Sequence, residues 1–395
     1  MKKFLNYFIL GLVINFSYAQ KKELFIVDKT TKLAIEDVNI SILNSSESTF
    51  TNSEGKASIN LKENFDLKIS NIGYEEVIIS YKDLKSIETI FLVQKVNILD
   101  EVVIKSFNLN KALQFVSDNF SSLYVNVPFE KECDFKEIVE VNGKLKRLIL
   151  SKVNWWDKTY ERKFEYIKLR LGKVEYFKNE PFDIFYDLPK SNVPSNSGFI
   201  NPESVINTLY LNILLQILMP ALKEAKTNVE DSPKETIKVS FETDWKKIKS
   251  DGSMLIKGFV IFDKLSKAIL EMNYRVDYKN NIDKQVSPIN KKESVNDTKQ
   301  SSIIVKFDKS LEDKLSLKFY ESKVNAEILY DNKISTAFFE NKIYVLNEIK
   351  VKKVNNQGLI DLKKPIFQSL PSNEIKSSNS ILLDSKEKEF IFGNN

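Results

Sequence analysis

The chain has 395 residues, of which 42% are hydrophobic, and a formal net charge of +5. It contains no histidine, which excludes zinc enzymes that need imidazole ligands and hydrolases that need a histidine base. The mild charge, without a basic cluster interleaved with aromatics, argues against nucleic acid as a partner, and the single cysteine, Cys133, excludes an intrachain disulfide.

The first 19 residues have the three parts of a secretory signal peptide. Two lysines precede an apolar core at residues 4–16, and small residues at Ser17 and Ala19 precede a cleavage site before Gln20. The apolar core is shorter than the ~20 residues that span a bilayer, which favours cleavage over a retained membrane anchor. We therefore expect an exported protein.

Short alternating segments separated by turn residues predict a β-sandwich over residues 20–106. Within the segment 37–43, Val38, Ile40 and Ile42 alternate with polar residues, as in a strand that is buried on one face. About seven such strands, with turns every ~8–12 residues, are typical of a sandwich.

Several short motifs of this region occur in a fixed order. They are an Asp28-x-Thr30 turn followed by Ala34-Ile35 and DVNISI, then TNSEG at 51–55, ISNIGY at 69–74 and LDEVV at 99–103. In this order they resemble the carboxypeptidase regulatory-like domain, a transthyretin-like sandwich common at the start of TonB-dependent outer-membrane proteins of the Bacteroidetes type. The resemblance implies that fold and a place in the periplasm or at the outer membrane. A metallocarboxypeptidase activity is excluded, because that chemistry needs histidine ligands.

Residues 107–352 are predicted to form an α+β domain with a strongly curved antiparallel sheet and one or two helices against its concave side. Asn108 is placed to cap a helix over 109–123, whose apolar residues recur on one face. Asn142-Gly143 lies between two alternating segments and is a strong signal for a β-hairpin.

A second helix is expected at about 203–226, after a polar loop. Further strands are expected at 237–276 and 302–352, separated by a polar stretch at 278–301. Residues 353–395 are expected to form an irregular polar tail.

The segment GFVIFDK at 258–264, followed by Ala268-Ile269-Leu270, has the form of a turn between two strands. It resembles a hairpin of the lipoprotein-carrier fold, an open β-barrel. The same pattern also describes ordinary antiparallel hairpins. It therefore predicts a hairpin here without specifying the lipoprotein-carrier fold.

Residues 205–222 contain no charged side chain. The amides of Asn207, Asn212 and Gln216 would need partners in lipid, which favours a buried helix over a membrane span. We expect the apolar surface of this helix to cover or line a lipid-sized cavity. Its candidate ligand- or partner-binding residues are Leu211, Leu214, Leu215 and Leu218.

Trp155 and Trp156 are further candidates for binding, since paired aromatics in an exported protein can stack on sugars. Adjacent residues of a strand face opposite ways. We therefore expect one tryptophan in the core and the other at the rim.

Acidic residues cluster at Glu130, Glu132, Asp134 and Glu137, and again at Glu36-Asp37. Neither cluster has the spacing of a calcium loop, so both are expected to form solvated faces. Cys133 lies among the first group of acids, which would raise the pKa of its thiol and disfavour the thiolate. The sequence thus predicts no catalytic residue, no cofactor and no metal.

These observations favour a non-catalytic, exported cell-envelope protein that binds an apolar ligand or an outer-membrane partner. The alternative is a protein–protein docking or spacer module of an outer-membrane assembly. A hydrolase that works through carboxylates alone, such as a glycosidase, also stays open. The sequence leaves the oligomeric state undecided.

Overall fold

A computed structural model describes most of the chain after the first 19 residues. The described residues are 20–43, 48–61, 65–71, 73–94, 107–161, 163–180, 202–231, 235–248, 251–286, 291–309, 313–362, 364, 366–370 and 382–393. The chain divides into two compact units, Met1–Lys95 with Asn379–Asp384, and Val96–Ser378 with Ser385–Asn395. The expected signal peptide lies outside the described residues.

The smaller unit consists of short strands in two sheets. Its elements are β1 (Gln20–Asp28), β2 (Asn39–Ile42), β3 (Ser48–Phe50), β4 (Lys56–Leu61), β5 (Leu67–Ser70), β6 (Val77–Ile79), helix α1 (Tyr81–Leu84) and β7 (Thr89–Leu92). One sheet has the order β4-β1-β7, with β1 and β7 parallel. The other has the order β3-β2-β5-β6 and is antiparallel.

The core of the smaller unit contains only aliphatic side chains among its fully buried members. Val38, Ile40 and Ile42 all belong to it, as their alternation predicts. Gly55 closes the turn before β4 with a φ of +72°, and a Cβ atom there would lie 2.5 Å from the carbonyl oxygen of Ile26. The LDEVV motif at 99–103 lies outside the described residues.

The larger unit is built on one long antiparallel sheet. Its elements are α2 (Leu109–Asp118), α3 (Phe120–Leu123), β8 (Phe129–Val141), β9 (Lys144–Asp157), β10 (Ile167–Asn179), α4 (Pro202–Leu209), α5 (Leu211–Ala221), β11 (Lys226–Asp231), β12 (Thr236–Glu242), β13 (Lys246–Lys247), β14 (Ser253–Asp263), β15 (Ile269–Lys279), β16 (Ile282–Val286), β17 (Glu293–Lys309), β18 (Leu315–Tyr330), β19 (Lys333–Lys350) and α6 (Ser385–Phe392). The strand order is β10-β9-β8-β19-β18-β17-β15-β14-β12-β11, with β13 on β14 and β16 on β17. The predicted mainly β, α+β fold class is confirmed.

Local sequence signals are matched by local structure. The side chain of Asn108 accepts a hydrogen bond from the backbone N–H of Lys111 at 2.9 Å and caps α2. Asn142 and Gly143 have φ values of +51° and +73°, so they form the tight turn that joins β8 and β9. The hairpin predicted around 258–270 is formed by β14 and β15.

The structure differs from three expectations, of which the first two concern a helix and a polar stretch and the third concerns the tail. The helix expected at about 203–226 is interrupted at Tyr210, which separates α4 from α5. The polar stretch 278–301 was expected to separate strands, but it forms β16 and the first half of β17. Its inward positions are polar, since Ser294, Asn296 and Thr298 are buried, and so the apolar alternation of a strand is missing.

The tail expected to be irregular beyond residue 353 contains α6. Ile391 and Glu387 of this helix are buried, and the Glu387 carboxylate lies 2.5 Å from the ammonium group of Lys136 on β8. A charged partner on the sheet therefore fixes a segment whose composition is polar.

Both sides of the long sheet are covered in part. We call the side that carries Phe135, Ile343 and Tyr320, which are opposed across β8, β19 and β18, the inner face. Helices α2 to α5 share an apolar core with one part of the inner face. Ile360, Leu370 and the short 3-10 turn Ile366–Ser369 pack on another part of it. Helix α6 packs on the opposite, outer face through Lys136.

Candidate ligand-binding cavity

Two cavities lie at the inner face of the sheet, within the larger unit. The larger has a volume of about 280 Å³ and the smaller about 40 Å³. Val205 of α4 and Asn341 of β19 line both of them. The two spaces therefore adjoin, and we call them the larger and the smaller compartment of one candidate site.

The smaller compartment is almost wholly apolar. Strands β8, β9, β10 and β19 form its floor, and α4 and Ile366 contribute the rest. Its lining residues are Cys133, Phe135, Glu137, Val153, Trp155, Leu169, Val205, Ile206, Leu209, Asn341, Ile343 and Ile366. Only Glu137 and Asn341 bring strongly polar side chains to it.

The larger compartment combines an apolar lining with a set of hydroxyl groups. Its apolar and aromatic lining residues include Val205, Ile217, Leu218, Ala221, Met254, Ile256, Tyr274, Val276, Ile303, Val324 and Phe339. Its polar lining residues are Thr208, Tyr278, Ser301, Ser302, Tyr320, Ser322, Lys323 and Asn341. The two compartments therefore differ in polarity.

Asn341 lies where the compartments meet. It stands opposite Ser322 of β18 and opposite Glu137 of β8, so all three point to the inner face. Only 5% of Asn341 is exposed, and its side-chain oxygen has no hydrogen-bond partner among the described residues. A buried polar atom without a partner is costly, and in a native fold it calls for an explanation.

The hydroxyl groups of the larger compartment are partly paired with one another. The Tyr320 and Thr208 oxygens lie 2.5 Å apart and join the sheet to α4. The Tyr278 and Ser301 oxygens lie 3.3 Å apart. Burial raises the pKa of Tyr320 to about 12, so its hydroxyl stays protonated at neutral pH.

The charged groups near the cavity are already engaged. Arg147 donates to the Glu137 carboxylate at 2.7 Å and to Asn179 at 3.3 Å, and the ring of Phe367 lies 4.3 Å from its guanidinium carbon. Burial raises the pKa of Glu137, while Arg147 opposes that rise. Lys323 lies 2.9 Å from the carboxylate of Glu321 and 3.2 Å from that of Glu340.

A buried carboxylate fixes the junction between α4 and α5. Asp157, at the end of β9, accepts a hydrogen bond from the Tyr210 hydroxyl at 2.5 Å. The Tyr160 hydroxyl donates to the carbonyl oxygen of Leu209 at 2.7 Å. Burial raises the pKa of Asp157 to about 7. The helices that cover the cavity are thus held by polar contacts at their interruption.

The four candidate leucines of α5 are all buried. Leu218 lines the larger compartment, whereas Leu211, Leu214 and Leu215 pack in the surrounding core. The side-chain oxygens of the helix amides Asn207 and Asn212 are buried without a hydrogen-bond partner among the described residues. No helix in the described part of the chain is long and apolar enough to cross a membrane.

The two candidate tryptophans are both buried, at 2% and 7% exposure for Trp155 and Trp156. The expectation that one of them lies at the rim is wrong. Trp155 lines the smaller compartment, and the indole N–H of Trp156 donates to the carbonyl oxygen of Val351 at 2.7 Å. The chain after β19 covers the side of the sheet that was expected to face solvent.

The acidic cluster on β8 is only partly a solvated face. Asp134 and Glu137 are buried, because both sides of the sheet are covered, and the Asp134 carboxylate lies 2.6 Å from the ammonium group of Lys152. Cys133 is buried and lines the smaller compartment. The pKa of its thiol is raised to about 12, with burial as the largest cause and the neighbouring acids as a minor one.

Sequence reasoning missed the polar groups of the cavity. Asn341, Ser322 and Ser301 are each flanked by polar residues in the sequence, so no local pattern marks them as inward-facing. Their position on the inner face follows only from the register across β17, β18 and β19. Among the described residues, no group of three or more Asp, Glu, Cys or His side chains could hold a metal ion.

Comparisons with known proteins add little. No family model matches the chain. No curated protein matches it either. One similar solved structure is described as "lipid-protein interactions in lipovitellin"; the match covers 60% of this chain and 27% of that chain, at 11% identity and a TM-score of 0.21. The chain thus spans about a quarter of that protein's length, and a similarity this low supports no inference about fold or function.

Proposed function

We propose that the larger unit binds an apolar ligand in the cavity beneath α4 and α5, without covalent chemistry. The observation that carries this proposal is the pair of adjoining compartments between the inner face of the sheet and the helix α4. The absence of histidine from the composition agrees with a binding role.

The size of the cavity limits the ligand. Small-molecule sites usually have volumes of ~300–1,000 Å³, and the larger compartment, at about 280 Å³, lies near the lower limit of that range. An alkyl chain of medium length suits this space better than a large lipid. A cavity left empty costs ~24 cal/mol per Å³, so a ligand that fills it stabilises the fold.

Solvent extraction of the purified protein, followed by mass spectrometry, tests whether it carries a ligand. Displacement of the neutral dye N-phenyl-1-naphthylamine by medium-chain alkanes and alcohols tests whether the site takes one up. We expect wild-type protein to bind the dye in a saturable way and to melt at a higher temperature when the alcohol is present.

A variant that fills the cavity locates the binding. Ser322→Phe places a ring at the inner face, in the larger compartment. Asn325→Phe introduces the same ring three residues along β18, at an exposed position on the outer face. We expect S322F to lose dye binding and N325F to retain it. Equal binding by both variants, or no binding by wild-type protein, would overturn the proposal.

We further propose that the chain is exported and that the smaller unit acts as a carboxypeptidase regulatory-like module of the cell envelope. The support is the sequence of residues 1–19 and the motif order in residues 20–106. Cell fractionation with N-terminal sequencing tests it, with Gln20 as the expected first residue. In vivo cross-linking that captures one dominant envelope protein, in a protein that binds no ligand, would favour the docking alternative.

A further inference from the structure

The larger compartment carries polar groups that a purely apolar ligand would leave without partners. Asn341 is the most telling of them, because it is nine-tenths buried and its side-chain oxygen has no partner among the described residues. Ser322 lies opposite Asn341, and Thr208 approaches from α4. An asparagine amide offers two donors and one acceptor, so it can bind a single hydroxyl, ester or amide group.

The charges around the cavity argue against an ionised head group. Among the described lining residues, Lys323 is the one with a positive charge, but its position on β18 belongs to the outer face, where it is paired with Glu321 and Glu340. The lining carboxylate, Glu137, is paired with Arg147. An anionic head group would therefore be buried beside neutral groups and a compensated ion pair, and burial of an unpaired charge is costly.

The two compartments also define the orientation of the bound ligand. The smaller one is lined by Phe135, Val153, Trp155 and Ile343, and suits the end of an alkyl chain. The larger one holds the hydroxyl groups and suits the head. Asn341 lies at the point that both share.

We propose that the ligand is an uncharged amphiphile, an alkyl chain with one hydrogen-bonding head group, and that Asn341 is the residue that selects for this head. This inference rests on the proposed function, since it names the ligand class of the same cavity. Filling a site that carries a buried hydrogen-bonding group with a ligand that cannot pair with it forfeits affinity.

Three probes with the same chain length test the inference: 1-decanol, decanoate and decane, each measured at pH 8 by displacement of N-phenyl-1-naphthylamine. We expect wild-type protein to bind 1-decanol at least about tenfold more tightly than either of the others, because one buried hydrogen bond is worth roughly a factor of ten. We expect Asn341→Leu, which keeps the volume and removes the amide, to bind 1-decanol and decane equally. The matched control Asn325→Leu, on the exposed side of β18, should retain the preference.

Each outcome decides the question. Equal binding of 1-decanol and decane, or of 1-decanol and decanoate, by wild-type protein overturns the inference and leaves the proposed function standing. A preference that persists in N341L also overturns it. Failure of all three probes overturns the proposed function as well. If N341L does not fold, the comparison of the three probes on wild-type protein still tests the inference.

Discussion

The two units bury polar side chains for different purposes. In the smaller unit several of them pair with backbone groups and so hold turns and neighbouring segments in place. Asp28 accepts from the N–H of Thr31 at 2.7 Å, Thr51 donates to the carbonyl oxygen of Ile35 at 2.7 Å, and Asn52 accepts from the N–H of Lys56 at 2.9 Å. A side-chain pair over a longer separation is also present, since Gln94 donates to the Asp28 carboxylate at 2.7 Å.

In the larger unit, buried polar groups connect segments that are far apart in sequence. Lys131 pairs with Glu348, and Lys136 pairs with Glu387. Others, such as Asn341, face a cavity. The larger unit therefore buries polar groups that cost stability and that an apolar core does not require. We place the function in this unit.

The largest expected effect comes from a buried pair of the larger unit. Lys131 is fully buried, contacts Glu348 and Ser316, and lies 4.5 Å from the ring of Phe129. Lys131→Met leaves the Glu348 carboxylate buried without its cation, so we expect the free energy of unfolding in urea to fall by ~3–5 kcal/mol. The double variant K131M/E348M should recover most of the loss. A loss below ~1 kcal/mol in K131M would contradict this role.

The second prediction concerns pH. The folded-state pKa of Asp157 is about 7, above the ordinary value of 3.8, so the folded protein holds this proton more tightly than the unfolded chain. The stabilisation is fully present below about pH 4 and is lost progressively as the pH rises from there through about 7, by ~4 kcal/mol in total.

Asp157→Asn should remove this pH dependence. Its amide oxygen still accepts the hydrogen bond from Tyr210, and we expect D157N to be more stable than wild type at pH 8 and equal to it at pH 4. Urea unfolding at both pH values measures the difference. The exposed control Asp308→Asn should follow the wild-type curve; a D157N curve that does the same would show that Asp157 is not the titrating group.

The third prediction tests whether the smaller unit depends on turn geometry. Gly55→Ala meets both an unfavourable positive φ and the carbonyl oxygen of Ile26, so we expect a loss of ~2 kcal/mol. Gly73 has a φ of +88° but open space around it, and Gly73→Ala should cost only ~1 kcal/mol. Hydrogen exchange of the β1 and β4 amides measures both. Equal losses would remove the close contact at Gly55 from the explanation.

The smallest expected effect has the opposite sign. Asn341→Leu removes a buried, unpartnered polar atom, so we expect the ligand-free protein to gain ~1 kcal/mol of stability. A gain in stability together with a loss of head-group preference is the pattern of a functional residue that costs stability. Thermal melting of N341L and N325L without ligand checks this, and a less stable N341L would point to a structural role.

The same contrast explains what could be predicted from the sequence. The strands of the smaller unit, the cap at Asn108 and the turn at Asn142-Gly143 depend on neighbours a few residues away, and they were predicted. The burial of Trp156 depends on Val351, and that of Glu387 on Lys136. Such contacts leave no local pattern, so the covered outer face was missed.

The cavity was anticipated only in outline. An uncharged helix predicted an apolar surface beside a sheet, and Leu218 does line the larger compartment. The polar residues of the site could not be identified, because Asn341, Ser322 and Thr208 converge from β19, β18 and α4 only after the register is set.

Protection of Cys133 is the most direct test of the central claim. It is the only cysteine in the chain and it lines the smaller compartment. Its thiol is buried and has a raised pKa, so its modification by methyl methanethiosulfonate is slow and, measured at pH 9, reports on access to that space. We expect saturating 1-decanol to slow the reaction at least about tenfold, while a Cys133→Ser/Asn325→Cys control, with its thiol on the exposed side of β18, reacts at an unchanged rate. An unchanged rate at Cys133 under conditions where 1-decanol displaces the dye would place the ligand elsewhere and contradict the account.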